Sequence, residues 1–293
     1  MFDRIGAEVA RHDPHGRLRG IHDDNGCLPD DFYSGASCWN TLGQYAQHSG
    51  SDYTYPWCDG CSPPDDASCR GRWATPRNRR TLHDEMLEVR VGRKRERPII
   101  DAEYAYFLRR GVPGHPDVVN RGHSHDRATF RKAAWVLTMA GTYIVPGFWR
   151  TYYGGWAGRN TPFRPDDAEA LPAIADLRVL HDFFERRADG STREWWKLEP
   201  HDELVSSLPG AADASPGHAY CLAEPGRSYV VFSENTLSTD LVLKGSPGAT
   251  YRVSRFDPRT GDRTALDSPV ETGTTAVLAS PDTEDWVFEI ERR

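Results

Sequence analysis

The sequence contains no run of about 18 consecutive apolar residues, which is the length that a membrane-spanning helix requires. The residues after Met1 also lack the charged segment followed by an apolar run that marks a secretory signal peptide. No internal repeat is found along the chain. We therefore expect a soluble, globular protein that does not span a membrane, and the cellular compartment stays open.

Positive charge is also scarce, because 36 Lys and Arg stand against 43 Asp and Glu, for a formal net charge of −7. Nucleic acids are bound by basic surfaces, so this balance argues against a nucleic-acid partner. One basic stretch contains Arg77, Arg79 and Arg80 and continues through residues 90–97. It indicates either a solvated helix face or an interaction patch.

Cysteine is limited to six residues, and three of them lie close together in a loop rich in Gly, Pro and Asp. Cys58, Cys61 and Cys69 have a spacing that a zinc ion or a disulfide could use, and free thiols are the third alternative. A zinc site would need a fourth ligand, which only Cys27, Cys38 or a histidine such as His48 could supply. We predict no metal and no other cofactor.

The first 205 residues alternate between strand-like and helix-like patterns. Strands are predicted at 17–22, 39–48, 98–106 and 142–149, with helical patterns before and between them. This alternation favours a parallel sheet with right-handed crossovers. Since a complete (β/α)8 barrel takes about 250 residues, the pattern predicts a partial (β/α)8 barrel of about four βα units over residues 1–205.

The pattern changes near Leu204. A stretch rich in Ser, Ala, Pro and Gly at 206–217 indicates a linker or crossing loop. Short β-branched or alternating runs follow at 229–232, 240–243, 250–256, 275–278 and 286–290. Strands at this spacing predict a C-terminal β-sandwich domain over residues 206–293, so the fold class is α/β plus all-β.

One segment, residues 97–106, has the features of a strand that presents a reactive group. A charged, helix-like segment meets a proline, a short apolar run follows, and Glu103 then stands among aromatic residues before a loop rich in Gly, Pro and His. In α/β folds, ligands bind at the carboxyl ends of the strands. Glu103 is therefore the predicted catalytic residue, and a salt-bridged glutamate at a strand end is the alternative.

Aromatic residues follow the strand predicted at 142–149. Rings on such a loop are suited to stacking on the apolar faces of sugars, and simple packing over the end of the barrel is the alternative. The residues are Trp149, Tyr152, Tyr153 and Trp156.

A series of short motifs occurs in a specific order over almost the whole chain. The motifs are Asp13-Pro14-His15-Gly16, Ile21-His22, Gln44, residues 98–103, Ala133-Ala134-Trp135, Ala140-Gly141, Trp196-Lys197-Leu198-Glu199-Pro200, Tyr229-Val230-Val231 and Phe256-Asp257-Pro258-Arg259-Thr260-Gly261. In this order the chain resembles the apiosidase-like glycoside hydrolases (the DUF4038 group). The resemblance implies strands five to eight of a TIM barrel followed by a β-sandwich that carries the label collagen-binding, although nothing in the residues indicates collagen as a partner.

The resemblance also implies that Glu103 matches the catalytic carboxylate after the seventh strand. The family's second acid follows the fourth strand and precedes a helix matched by residues 2–11, so this acid and strands one to four are expected to lie outside the chain. Two departures put the substrate specificity in question. Tyr106-Phe107 stand where many members have a second Glu, and residues 145–148 replace a His-Thr-Tyr-Gly motif.

Glycoside hydrolysis requires two carboxyl groups on either side of the scissile bond. Glu103 would be the nucleophile or the base. Supporting residues would hydrogen-bond sugar hydroxyls, orient Glu103 or keep it ionised, and for each of them a satisfied polar group beneath a loop is the alternative. These residues are His22, Gln44, His48, Tyr104 and Tyr106.

We accordingly predict a carbohydrate-active protein that hydrolyses glycosidic bonds in plant or microbial polysaccharides or oligosaccharides. The second acid would come from a missing N-terminal half-barrel, from a second copy of the chain, or from Asp23, Asp24 or Asp30. The alternatives are a non-catalytic carbohydrate-binding or degenerate homologue, and a structural module. Because half a barrel leaves a sheet edge unpaired, the isolated chain is expected to form a homodimer or to aggregate.

Overall fold

A computed structural model describes residues 2–16, 43–45, 83, 86–87, 90, 98–107, 127–148, 170–207, 218–234, 236–245 and 247–293. The chain forms two compact units, Met1–Thr138 with Thr142–Glu169, and Met139–Gly141 with Ala170–Arg293. The domain boundary predicted at residue 205 stays a prediction.

The first unit contains a parallel sheet of three strands in the order β1-β2-β3. Its elements are helix α1 (Phe2–His12), β1 (Gly43–Tyr45), β2 (Ile99–Phe107), helix α2 (Arg127–Met139) and β3 (Tyr143–Phe148). These strands lie within or beside the stretches predicted at 39–48, 98–106 and 142–149. The strand predicted at 17–22 lies outside the described residues.

Helix α2 supplies the best-buried side chains of the first unit. Phe130, Trp135 and Leu137 are completely buried, as expected where a largely apolar helix lies between two parallel strands. The helix ends at a turn in which Gly141 has a φ of 72°, a left-handed conformation that glycine adopts without a steric penalty. The backbone N–H of Thr142 then donates to the carbonyl oxygen of Leu137 as the chain enters β3.

Among its described residues, the second unit contains helix α3 (Ala170–Glu185) and nine strands in two antiparallel sheets. The strands are β4 (Glu199–Pro200), β5 (Val205–Ser207), β6 (His218–Glu224), β7 (Ser228–Glu234), β8 (Ser238–Val242), β9 (Thr250–Phe256), β10 (Arg263–Glu271), β11 (Thr275–Ala279) and β12 (Trp286–Arg292). One sheet has the order β10-β9-β12-β7-β6-β4 and the other has the order β11-β8-β5.

The two antiparallel sheets share one hydrophobic core. Tyr251 and Phe288 from the larger sheet, with Leu241 and Leu278 from the smaller sheet, belong to this buried cluster. Helix α3 lies on the opposite face of the larger sheet, where the Phe183 and Phe256 rings are 4.7 Å apart. Every residue of β7 is buried for this reason, which explains its nearly continuous apolar sequence.

The fold is thus mixed helix and sheet, with mostly antiparallel sheets. The residues that the structure describes form no closed barrel. Within the same residues, no helix is long and apolar enough to cross a membrane.

Candidate active site

Glu103 lies in the middle strand of the parallel sheet. It is the fifth of the nine residues of β2, which is paired to β1 on one side and to β3 on the other. The sequence predicted a strand here, and the backbone of Glu103 belongs to it. The strand continues to Phe107, so Glu103 precedes the carboxyl end of β2 by four residues.

The pairing of β2 with β3 is irregular around Glu103. Asp101 pairs with Ile144, but Tyr104 pairs with Pro146, so β2 has one residue more than β3 between these two pairs. The same excess recurs between Tyr104 and Phe107. Such β-bulges bend a strand, redirect its side chains, and are over-represented next to active sites.

Pro146 helps to explain this irregularity. Proline has no backbone N–H and cannot donate to the ladder, which confines it to edge strands and bulges. In the described sheet, β3 is an edge strand, and Pro146 pairs with Tyr104 at the bulge. The sequence signal for the bulge is therefore a proline in the middle of an apolar strand.

Gln44 lies on the neighbouring strand β1, but it does not pair with Glu103. It pairs with Ile100, and Tyr45 pairs with Asp101. Because a parallel strand rises about 3.3 Å per residue, the Gln44 backbone lies about 10 Å along the strand before Glu103. The sheet brings Gln44, Glu103, Tyr104 and Tyr106 onto adjacent strands without placing Gln44 beside Glu103.

The other predicted site residues lie outside the part of the chain that the structure describes. They are His22, His48, Trp149 and Tyr152, together with Tyr153 and Trp156 of the aromatic loop and the candidate acids Asp23, Asp24 and Asp30. Their roles stay predictions.

Two completely buried polar residues of the first unit were not predicted to be functional. Asp101, two residues before Glu103, is completely buried, as is His83. A buried carboxyl group is costly unless it is hydrogen-bonded or paired. The sequence feature that could have identified Asp101 is its position as an aspartate within the apolar run of residues 99–102.

Tyr143, the first residue of β3, has an altered acidity. Burial raises the pKa of its phenol, and the positive charge of Arg90 acts in the opposite direction. The Tyr143 hydroxyl therefore stays protonated at neutral pH.

Metal-ligand chemistry has no support among the described residues, where no group of three or more His, Cys, Asp or Glu side chains could hold a metal ion. Cys221 is a buried free thiol in β6. The predicted cluster of Cys58, Cys61 and Cys69 lies outside the described residues.

The fold is similar to solved structures of glycoside hydrolases. A glycoside hydrolase family 5 protein from Bacteroides vulgatus ATCC 8482 superposes with a TM-score of 0.69 at 14% identity, over 99% of this chain and 59% of that protein. A second structure, named glycoside hydrolase, gives a TM-score of 0.67 at 12% identity, over 99% of this chain and 60% of its own.

No protein-family model matches the sequence, and no curated protein matches it significantly. The chain spans about three fifths of the length of the two structures it resembles. The chain therefore has a glycoside hydrolase-like fold. This similarity supports the coarse part of the predicted resemblance, and the assignment to the apiosidase-like group stays a prediction.

Proposed function

We propose that the protein is a glycoside hydrolase that cleaves glycosidic bonds of plant or microbial polysaccharides or oligosaccharides, with Glu103 as a catalytic carboxylate. The observation that carries the proposal is the similarity of 99% of the chain to a family 5 glycoside hydrolase, at a TM-score of 0.69. The position of Glu103 in a bulged, central parallel strand adds to it, because bulges commonly accompany active sites.

The finer architecture belongs to the same proposal. The parallel strands β1, β2 and β3 are strands of a partial (β/α)8 barrel of the apiosidase-like type, with a domain boundary near residue 205. The antiparallel strands then form the β-sandwich, of which only β4 (Glu199–Pro200) precedes this boundary. The shared core of the two antiparallel sheets supports this arrangement.

Glu103 acts as the nucleophile or as the base that activates water. Two carboxyl groups must flank the scissile bond, at about 5–5.5 Å in retaining enzymes and about 6.5–9.5 Å in inverting enzymes. Tyr104 or Tyr106 stabilises the Glu103 carboxylate, since hydrogen bonds to the charged form lower a carboxyl pKa. His22, Gln44 and His48 bind sugar hydroxyls.

Rings of the aromatic loop complete the proposed substrate site. Trp149 and Tyr152 stack on the sugar, because aromatic rings offer a large apolar surface. The acid that protonates the leaving oxygen comes from outside the described residues: from an N-terminal half-barrel, from a second copy of the chain, or from Asp23, Asp24 or Asp30.

The test is the release of reducing ends from a panel of plant and microbial polysaccharides. We expect activity in the wild type and a loss of about 10²–10⁴-fold in Glu103→Gln, the range that positioned acid–base groups contribute. Glu284→Gln is the matched control, since Glu284 is an exposed glutamate of the second unit and should leave the rate unchanged. Equal background rates in the wild type and in Glu103→Gln would remove the enzymatic function, and glycan binding without turnover would favour a carbohydrate-binding protein.

A further inference from the structure

The second unit has a groove at one end of its larger sheet. A cavity of about 420 Å³ lies where β12 ends and β9 begins, beside the β6–β7 turn and the segment that follows α3. A neighbouring cavity of about 380 Å³ shares several of the same residues and continues over β9 and β10. Each volume falls within the range of about 300–1,000 Å³ that is common for small-ligand sites.

The groove carries a concentrated positive charge. Five arginines line the first cavity, against the two carboxylates of Asp189 and Glu291. The whole chain has a net charge of −7, so this local excess runs against the overall composition. The arginines are Arg187, Arg227, Arg252, Arg292 and Arg293.

One of the two groove carboxylates is engaged in the interior. Glu291 accepts from Arg193 at 3.2 Å and from the Ser228 hydroxyl at 2.8 Å, and burial raises its pKa. The negative charge of Glu291 thus compensates the positive charge of buried Arg193 beneath the groove. Arg187, at 3.4 Å from Glu291, is the groove arginine that shares this network.

Arg227 pairs with Glu194 at 3.2 Å and with Glu224 at 3.3 Å, whereas the other three outer arginines have weak or no counter-ions among the described residues. The Arg252 guanidinium is 3.9 Å from the Asp189 carboxylate, and both side chains are about half exposed. The described residues provide no ion pair for Arg292 or Arg293. Arg292 and Arg293 are therefore available to an anionic ligand, and guanidinium groups bind carboxylates through paired, charge-assisted hydrogen bonds.

Arg227 of the groove forms an ion pair with the segment that carries two tryptophans. The Arg227 guanidinium pairs with the Glu194 carboxylate at 3.2 Å, and Glu194 directly precedes Trp195 and Trp196. The two indole rings are 5.9 Å apart, and Trp196 is 57% exposed. The exposed Trp196 indole, in the segment that the Arg227–Glu194 ion pair joins to the groove, offers an apolar face on which a ligand ring could stack.

The turn that carries Arg227 is held in place by Tyr229. The Tyr229 hydroxyl accepts from the backbone N–H groups of Gly226 at 2.7 Å and of Lys244 at 3.1 Å. It donates to the carbonyl oxygen of Lys244. The groove is therefore built on a fixed turn, which reduces the entropic cost of binding.

We propose that this groove binds acidic glycans, with arginines on the sugar carboxylates and Trp196 on a sugar face. The inference goes beyond the proposed function, because the groove lies in the second unit and Glu103 lies in the first. Hydroxyl groups of a sugar can donate to Asp189, whereas the dense phosphates of a nucleic acid would be repelled by that carboxylate and by the net charge of −7. Uronic acids combine the carboxylate, the hydroxyls and the ring face.

The test is a calorimetric titration of the full chain with tetragalacturonate and with its methyl ester, at low and high salt. We expect the acidic oligosaccharide to bind at least about tenfold more tightly than the neutral ester, which corresponds to the loss of one charge-assisted contact. The double variant Arg252→Gln/Arg292→Gln should lose at least this factor. Trp196→Ala should weaken both ligands.

Two controls keep this result separate from catalysis and from folding. Arg178→Gln removes an exposed arginine of α3 that does not line the groove, and its affinity should equal that of the wild type. Glu103→Gln should also bind normally, so a failed hydrolysis test leaves the groove proposal standing. Thermal denaturation checks that the variants are folded.

Three results would overturn the proposal. These are no binding of tetragalacturonate, equal binding of its methyl ester, or an unchanged affinity in the folded double variant. Tighter binding of single-stranded RNA or duplex DNA than of tetragalacturonate would assign the groove to a nucleic acid instead.

Discussion

Arg193 is the residue on which the second unit depends most directly. Its side chain is 1% exposed, and its guanidinium pairs with Glu289 at 2.8 Å and with Glu291 at 3.2 Å. It also lies over the Phe183 ring, 4.7 Å from the centroid. Burial lowers the pKa of Arg193, and the two carboxylates act against that shift.

Replacing Arg193 with alanine should strongly destabilise the protein. The substitution leaves Glu289 and Glu291 without their buried cation, and the loss of one partner of a buried ion pair costs about 3–5 kcal/mol. Urea denaturation of the full chain, followed by tryptophan fluorescence, measures the change in midpoint.

The control is Arg178→Ala, which removes an arginine that is 83% exposed. Its effect should stay within about 0.5 kcal/mol, as for most surface substitutions. A midpoint shift of the same size in both variants would contradict the role of the buried pair.

Cys221 should be chemically inert in the folded protein. It is completely buried, and burial raises the pKa of its thiol well above the usual value, so the reactive thiolate does not form near pH 8. Iodoacetamide labelling with mass-spectrometric mapping should find Cys221 modified only after denaturation. Labelling of Cys221 in the native chain at a rate typical of an exposed thiol would contradict the packing of β6.

At the scale of elements, the loop between β8 and β9 requires glycine at position 245. Gly245 has a φ of 146°, and a Cβ there would lie 2.9 Å from the Tyr251 hydroxyl oxygen and 3.0 Å from the Gly226 Cα. Both the backbone conformation and the space exclude a side chain. Gly245 thus packs closely against Gly226, in the turn that carries Arg227.

Gly245→Ala should therefore lower the unfolding midpoint more than Gly273→Ala. Gly273 has a φ of 85°, and no atom of the described residues lies within 4 Å of the position that a Cβ would take there. Its substitution therefore carries only the backbone strain of about 1–2 kcal/mol. Equal losses in the two variants, measured by urea denaturation, would show that the close contact with Tyr251 has no energetic role.

Hydrophobic periodicity predicted the helices and strands whose apolar residues recur at regular spacing. Ile5 and Val9 mark α1, the apolar residues of 130–137 mark α2, and the runs at 250–256 and 286–290 coincide with β9 and β12. Strands β6 and β10 were not predicted. His218–Glu224 has few β-branched residues, and Arg263–Glu271 is interrupted by charges and a proline, so their pairing with β7 and β9 had no local signal.

The candidate site was predictable only in part for a related reason. The composition of residues 97–106 predicted a strand and indicated Glu103 as its candidate carboxylate. The bulge at Glu103 depends on the register with β3, and the level of Gln44 depends on the register with Ile100. Register is a property of two segments distant in sequence, which one sequence alone does not specify.

At the scale of the whole molecule, the first unit exposes apolar side chains that could be buried by contact with a second copy of the chain. Ile5 and Val9 of α1 are 54% and 52% exposed, and Tyr143 and Val145 of β3 are also exposed. Exposed apolar patches commonly mark interaction sites. We expect the isolated chain to form a homodimer or to aggregate, as predicted from its sequence.

Light scattering coupled to size-exclusion chromatography checks this expectation. The wild type should elute with twice the mass of 33.0 kDa, and Ile5→Lys/Val9→Lys should shift it towards the monomer, because charges in a buried interface are costly. A folded wild-type monomer at micromolar concentration would contradict the homodimer.

The central claim is that the Glu103 carboxylate attacks, or activates water to attack, a sugar carbon. The most direct measurement uses aryl glycosides with a dinitrophenolate leaving group, which departs without protonation and so makes the cleavage step, which kcat/KM reports, independent of the second acid. We predict turnover above background by the wild type and a loss of about 10²–10⁴-fold in kcat/KM for folded Glu103→Gln. Identical rates for the two proteins on every aryl glycoside would contradict the claim.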